Sequence, residues 1–145
     1  MSYGIVFWGH TPKTNNILML QKKVVRILTK SDWQAHCRPL FVELSILTVP
    51  NLYIFNLLIY TYNKYGELSL RKNIHNFNTR HKNLIDVPLV RLEKTRNSHL
   101  VMGLRMFNLL PEAVKTLNFK SFKNRIFNFL IKHPCYSMLL MNFLI

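Results

Sequence analysis

Leu44-Ser45-Ile46-Leu47-Thr48-Val49-Pro50-Asn51-Leu52-Tyr53-Ile54-Phe55-Asn56-Leu57-Leu58-Ile59-Tyr60-Thr61-Tyr62-Asn63 runs for twenty residues without a charge. That length matches the hydrocarbon thickness of a bilayer, so the first choice is between a membrane span and a buried helix. Composition favours the helix. Ser45, Thr48, Asn51, Asn56, Thr61 and Asn63 are polar, and Thr48-Val49-Pro50 has the form of an N-cap followed by a first-turn proline. A helix is therefore predicted over 49–62, a length suited to the inside of a globular domain rather than to a span. The fold class that follows is mostly α: a small helical domain with a basic loop, and with room for a short extended segment between helices.

N-terminal to this stretch, Ile17, Leu20, Val24, Ile27 and Leu28 recur at helical spacing and predict an amphipathic helix over 16–30. Lys22, Arg26 and Lys30 repeat at i+4 with Lys23 beside them, so the helix has a basic side as well as an apolar one. A solvated surface and a phosphate-facing surface both account for that basic side. A polar break over 31–34 precedes a short helix over 38–44, started by Pro39, and Gly66 marks the end of the long helix.

Beyond Gly66 the pattern changes. Seven Lys or Arg fall between Arg71 and Arg96, around the polar run Asn73-Ile74-His75-Asn76-Phe77-Asn78-Thr79-Arg80-His81-Lys82-Asn83. By composition this is a loop. Its cations, amides and Phe77 suit contact with phosphates and bases, and an ordered connection whose Asn and Thr side chains satisfy the backbone explains it equally well. Leu109-Leu110-Pro111-Glu112-Ala113 starts a short helix to about Leu117, and Asn118 caps another over 119–132, with Phe119, Phe122, Ile126, Phe129 and Leu130 on one face. Gly103, among Leu100, Val101, Met102 and Leu104, marks a close approach of backbone. The expected organisation is a single helical region over 1–145, made of a helical half at 1–66, a basic loop or extended linker at 67–99, and C-terminal helices at 100–145.

Charge narrows the function classes. Twenty Lys and Arg stand against six Asp and Glu, a formal +14 on 17.3 kDa, which favours a polyanionic partner. The acids are dispersed, the nearest two being Asp86 and Glu93. No local pair can seed a two-metal or acid/base site, so this chain is not expected to be an enzyme. The four glycines form no phosphate-binding loop. His36-Cys37 and His133-x-Cys135 each offer two candidate ligands at spacings unlike a zinc knuckle, so no metal and no cofactor is expected. Two cysteines and no charged-then-apolar leader read as an intracellular protein of nucleus or cytoplasm with free thiols.

Several blocks then occur in a familiar order. These are Tyr3-Gly4-Ile5 with Trp8-Gly9, Leu20-Gln21-Lys22-Lys23-Val24-Val25-Arg26-Ile27, His36-Cys37-Arg38-Pro39-Leu40-Phe41, and Leu44-Ser45-Ile46-Leu47-Thr48-Val49-Pro50. His75-Asn76-Phe77-Asn78-Thr79-Arg80, Gly103 with Phe107-Asn108-Leu109-Leu110-Pro111, and Phe119-Lys120-Ser121-Phe122-Lys123 follow. The succession resembles the region C-terminal to the palm, thumb and C-terminal extension, in reverse transcriptases of jockey-like non-LTR retrotransposons. The resemblance implies part of an RNA-directed DNA polymerase that helps hold template and primer. The family's catalytic Phe/Tyr-x-Asp-Asp turn has no counterpart, since the chain contains no Asp-Asp, and no catalytic residue carries over. Fingers, palm and endonuclease are missing as well, so the expectation is a truncated or decayed copy of such an element, or a fragmentary reading of its gene.

The functional expectation is thus a non-catalytic fragment with residual, sequence-independent affinity for the RNA or DNA backbone. The candidate contacts are Lys22, Lys23, Arg26 and Lys30 on the helix and Arg71, Lys72, Arg80 and Lys82 in the loop. The rival expectation is a structural module, or transposon relic, that packs against the missing polymerase palm without activity of its own. Exposed apolar surface would betray it, and residues 44–63 and 138–145 are the candidates for that surface.

Overall fold

A polar stretch that caps and fastens, threaded through an apolar helix, organises the molecule. The structure is a computed structural model that describes residues 4–74 and 79–137. Phe77, the residue expected to suit stacking on bases, and the apolar residues 138–145 lie outside the described residues. In chain order the helices are α1 (Ile5–Trp8), α2 (Thr14–Leu28), α3 (Cys37–Glu43), α4 (Val49–Lys64), α5 (Arg71–Ile74), α6 (Glu93–Arg96), α7 (His99–Leu109), α8 (Glu112–Lys115) and α9 (Phe119–Lys132). The domain is mostly helical, and its described residues contain no strand.

α4 is the central element. It begins where the sequence places it: the Thr48 side chain accepts a hydrogen bond from Asn51 N at 3.3 Å, and Pro50 sits in the first turn. Val49, Tyr53, Ile54, Leu57 and Leu58 are all fully buried, because α1, α2, α7 and α9 pack around the helix. A helix that is apolar on every side has to be enclosed in this way. The apolar residues of 44–63 are therefore all buried or half-buried, which corrects the expectation that they supply exposed apolar surface. No helix among the described residues is long and apolar enough to cross a membrane.

The polar residues of that stretch tie the surrounding helices to α4. Asn51 Nδ2 donates to Leu130 O at 2.6 Å and His133 O at 3.0 Å, satisfying carbonyls that the end of α9 leaves open. Thr48 Oγ1 donates to Cys135 O at 2.7 Å. Gln21 of α2 does the same work from the other side, its Nε2 donating to Leu47 O at 2.8 Å and its Oε1 accepting from Val49 N at 3.0 Å. At the far end Tyr62 OH donates to Leu117 O at 2.7 Å, and the Tyr62 ring stacks on Phe122 at 4.4 Å.

Close approach of helices explains two glycines. α7 crosses α4 at Gly103, where an added Cβ would come within 2.5 Å of Thr61 Oγ1. Gly9 lies against the Tyr53 ring with no room for a methyl group. α9 is capped by Asn118, whose Oδ1 accepts from Ser121 N at 2.9 Å, and it buries Phe122, Ile126 and Leu130. Phe119 and Phe129 of the same predicted face stay partly in solvent. Gly66 sits in a 3₁₀ turn, Tyr65–Glu67, that ends α4 without a left-handed cap.

Between α4 and α7 the chain is not loop throughout. Arg71 and Lys72 form the start of a single helical turn, and an isolated antiparallel bridge joins Leu70 to Ile85. Arg71 N donates to Leu84 O at 3.0 Å, Lys72 N to Lys82 O at 2.9 Å, and Asp86 N to Ser69 O at 3.0 Å. The buried Ile85 then donates its N–H to Asn108 Oδ1 and accepts from Asn108 Nδ2, both at 2.9 Å, so that the Asn108 side chain stands in for a second strand and pins the segment to α7.

α2 departs most from its predicted packing. Leu18, Gln21 and Val25 face the core, while Leu20, Val24, Ile27 and Leu28 are exposed. The helix carries two apolar stripes, and the shorter one wins because Gln21 lies between Leu18 and Val25 where its amide can meet the open backbone of Leu47 and Val49. An apolar count alone ranks the stripes the wrong way round.

Candidate nucleic-acid interface

Rotating α2 onto the Leu18, Gln21 and Val25 face decides where its cations point. Lys23 and Lys30 are exposed, whereas Lys22 and Arg26 are half-buried beside α3 and the end of the chain's described C-terminal segment. Lys22 Nζ lies 3.8 Å from the centre of the Tyr136 ring, and the Arg38 guanidinium carbon is 5.1 Å from the same ring. Phe41 meets that ring edge-on at 6.5 Å. Such cation–π contacts hold the basic groups in place without neutralising them. Burial pushes the Tyr136 hydroxyl above its ordinary pKa, nearby Cys37 adds to the shift, and Arg38 and Arg26 oppose it.

Arg26 Nε donates to Ala35 O at 3.0 Å, which fastens the guanidinium across the turn that follows α2. That turn is a tight one. Ser31 N bonds Arg26 O at 3.0 Å and Lys30 N bonds Ile27 O at 3.2 Å, the paired bonds of a Schellman stop. Lys30 consequently has φ of +51°, a left-handed conformation in which glycine is the usual residue. The same motif ends α3, with Ser45 at φ of +51°, Ser45 N bonding Val42 O and Ile46 N bonding Phe41 O.

The second group of predicted contacts is built differently. Arg71, Lys72 and Lys82 are brought together by the backbone pairing of 71–72 with 82–84, and Arg80 stands in the turn between, with Lys72, Arg80 and Lys82 exposed. The eight predicted residues therefore divide into two clusters on different elements: one on α2, which packs on α3 and α4, and one on a paired segment held to α7 through Ile85 and Asn108. Sequence reasoning passed over Arg38, Tyr136 and Trp33. Trp33 is 76% exposed, and its only signal is its position, a lone aromatic in the polar break beside Lys30.

Few acids oppose these cations. Among the described residues the one ion pair joins Lys115 to Glu112 at 3.3 Å, and Lys115 is turned inward to donate to Asn108 O as well. No group of three His, Cys, Asp or Glu side chains among the described residues converges on a point. Cys37 and Cys135 are buried free thiols, and burial raises the Cys135 pKa against the opposing pull of Arg38, which keeps it from being a ready nucleophile. What the surface offers is fixed positive charge with backbone and aromatic groups beside it. No protein-family model, curated protein or solved structure matches this chain.

Proposed function

We propose that this chain is a non-catalytic, helical, nucleic-acid-binding region derived from the C-terminal part of a jockey-like reverse transcriptase, and that it contacts the RNA or DNA backbone without reading sequence. The observation that carries the reading is the uncompensated charge: every Lys and Arg except Lys115 lacks an ion-pair partner among the described residues. The ordered sequence blocks support the family. Lys23 and Lys30, with Lys72, Arg80 and Lys82, are exposed and free to meet phosphates; of the half-buried cations, Lys22 and Arg71 add field more than contact, while Arg26 lines the same cleft as Lys23 and Lys30.

Binding to a short DNA duplex, followed by fluorescence anisotropy over a range of salt, tests this. Four phosphate contacts give a slope of log affinity against log salt of about −3.6, at about −0.9 per contact. An affinity that barely responds to salt refutes the proposal. A second reading, a structural module that packs against a polymerase body, is favoured by one specific feature, the exposed Leu20, Val24, Ile27 and Leu28 of α2. Concentration-dependent self-association in sedimentation, with no shift of nucleic acid at low salt, selects that reading instead.

A further inference from the structure

Resting on the nucleic-acid reading above, we infer that the C-terminal end of α2 is a binding place for single-stranded RNA or DNA, in which an unpaired base stacks on Trp33 while Lys23, Lys30 and Arg26 take the flanking phosphates. Trp33 is the most exposed aromatic side chain of the described residues and packs neither in the core around α4 nor in the smaller cluster of Val25, Cys37 and Phe41. It makes no ring contact among the described residues. It stands instead at an open cleft of about 840 Å³ that it shares with Lys23, Arg26, Ile27, Lys30 and Gln34. That volume lies in the range of small-ligand sites and admits a nucleotide.

The lining has the parts that single-strand binding needs. An indole face accepts any base by stacking, Ile27 adds exposed apolar surface to the lining, and the three cations track a backbone. Gln34 supplies an amide that can meet a base edge. The cleft is also held in shape. Arg26 is fastened by its bond to Ala35 O, which leaves its terminal nitrogens for a ligand, and the Schellman stop fixes the backbone of Lys30. Asp32 is the one acid of this turn; it is exposed and does not line the cleft. A duplex keeps its bases stacked inside and has nothing to offer Trp33, so the cleft discriminates in favour of unpaired strands.

Three probes of about twelve nucleotides, within the usual range for such sites, test the idea on the full chain: oligothymidylate, the same strand with abasic residues, and a duplex. Expected are quenching of tryptophan fluorescence by oligothymidylate and a loss of about tenfold in its affinity in Trp33→Ala, with duplex affinity unchanged. Trp33→Phe should restore most of the loss, and the abasic strand should bind the parent chain about as weakly as oligothymidylate binds Trp33→Ala. The salt slope for the single strand should stay near −0.7 per phosphate in Trp33→Ala and should shrink in Lys23→Gln with Lys30→Gln. Trp33 is exposed, so its replacement should leave the helical circular dichroism signal unchanged. If Trp33→Ala binds oligothymidylate as tightly as the parent chain, or weakens duplex equally, the base-stacking site is refuted while backbone binding stands. If no probe binds at low salt, both fall.

Discussion

Replacing Lys30 by glycine should make the protein more stable and a poorer ligand for nucleic acid, and the two effects should be separable. Lys30 occupies the left-handed position of the Schellman stop that ends α2, with φ of +51°. An L-residue in that conformation costs about 1–2 kcal/mol, and glycine avoids the cost while giving back roughly 0.5–1 kcal/mol through the greater freedom of the unfolded chain. The net gain is about 0.5–1 kcal/mol, or about 2–3 °C in melting temperature for a domain of this size. Ser45 is the internal control, since it has the same φ of +51° in the same motif at the end of α3 but carries no charge. Thermal unfolding by circular dichroism should therefore show a similar gain in Lys30→Gly and Ser45→Gly. Salt titration should show a difference: the slope of log affinity against log salt becomes shallower by about 0.7–0.9 in Lys30→Gly alone, the value of one phosphate contact. If Lys30→Gly destabilises, the left-handed geometry is wrong. If it stabilises and leaves the slope unchanged, Lys30 does not meet phosphate.

Other perturbations address the core. Tyr53 is fully buried and its hydroxyl has no hydrogen-bond partner among the described residues, so Tyr53→Phe should stabilise by about 1 kcal/mol in urea unfolding. Burial also pushes the Tyr53 pKa from 10.0 up to about 12. The folded state therefore holds that proton more tightly than the unfolded chain, stability falls as pH rises from about 10 to about 12, and Tyr53→Phe should flatten this alkaline decline by about 2 kcal/mol. Asn51→Ala strips donors from Leu130 O and His133 O and should cost about 3 kcal/mol. Asn51→Asp should cost more at neutral pH, because a carboxylate would face two carbonyl oxygens. Gly103→Ala should lower the melting temperature even though alanine is the better helix former, since its Cβ meets Thr61 Oγ1 and the Leu57 side chain, and overpacking costs about 1–3 kcal/mol.

Much of the helical framework could be read from residues whose signals are local. Thr48 with Pro50, and Asn118 before Phe119, announce helix starts because a cap and a fixed φ act within one turn, and both helices begin where those residues predict. A close approach of backbone at Gly103 was legible for the same reason, since a missing Cβ allows it, but that its partner is Thr61 of α4 was not. What could not be read are choices between equivalent local patterns. α2 offers two apolar stripes, and only the position of Gln21 against Leu47 and Val49, 26 and 28 residues away, selects the shorter one. Likewise the run around Arg71 and Lys82 looks like loop until Asn108, far along the chain, supplies the bonds that give Ile85 a partner.

That choice on α2 has a consequence for the site. Had Leu20, Val24 and Ile27 faced the core, Lys22 and Arg26 would have shared the solvent with Lys23 and Lys30 as one uniform basic stripe, suited to any phosphate backbone. Turning the helix onto Leu18, Gln21 and Val25 divides the cations instead. Lys22 is drawn onto the Tyr136 ring and Arg26 onto Ala35 O, while Lys23 and Lys30 remain outside, beside Trp33 and the exposed Ile27. Positive charge and apolar surface thus come to lie next to each other rather than on opposite sides. A solvated helix face gains nothing from that adjacency, since exposed Leu, Ile and Trp weaken solubility. A surface that must hold both a phosphate and a base gains from it directly, because charge draws the strand in and the apolar ring keeps the base out of water. The burial of one glutamine is therefore what places charge and ring side by side, and a Gln21→Leu variant that still folds should keep that arrangement only if the contacts of Leu18 and Val25 suffice to hold the same face inward.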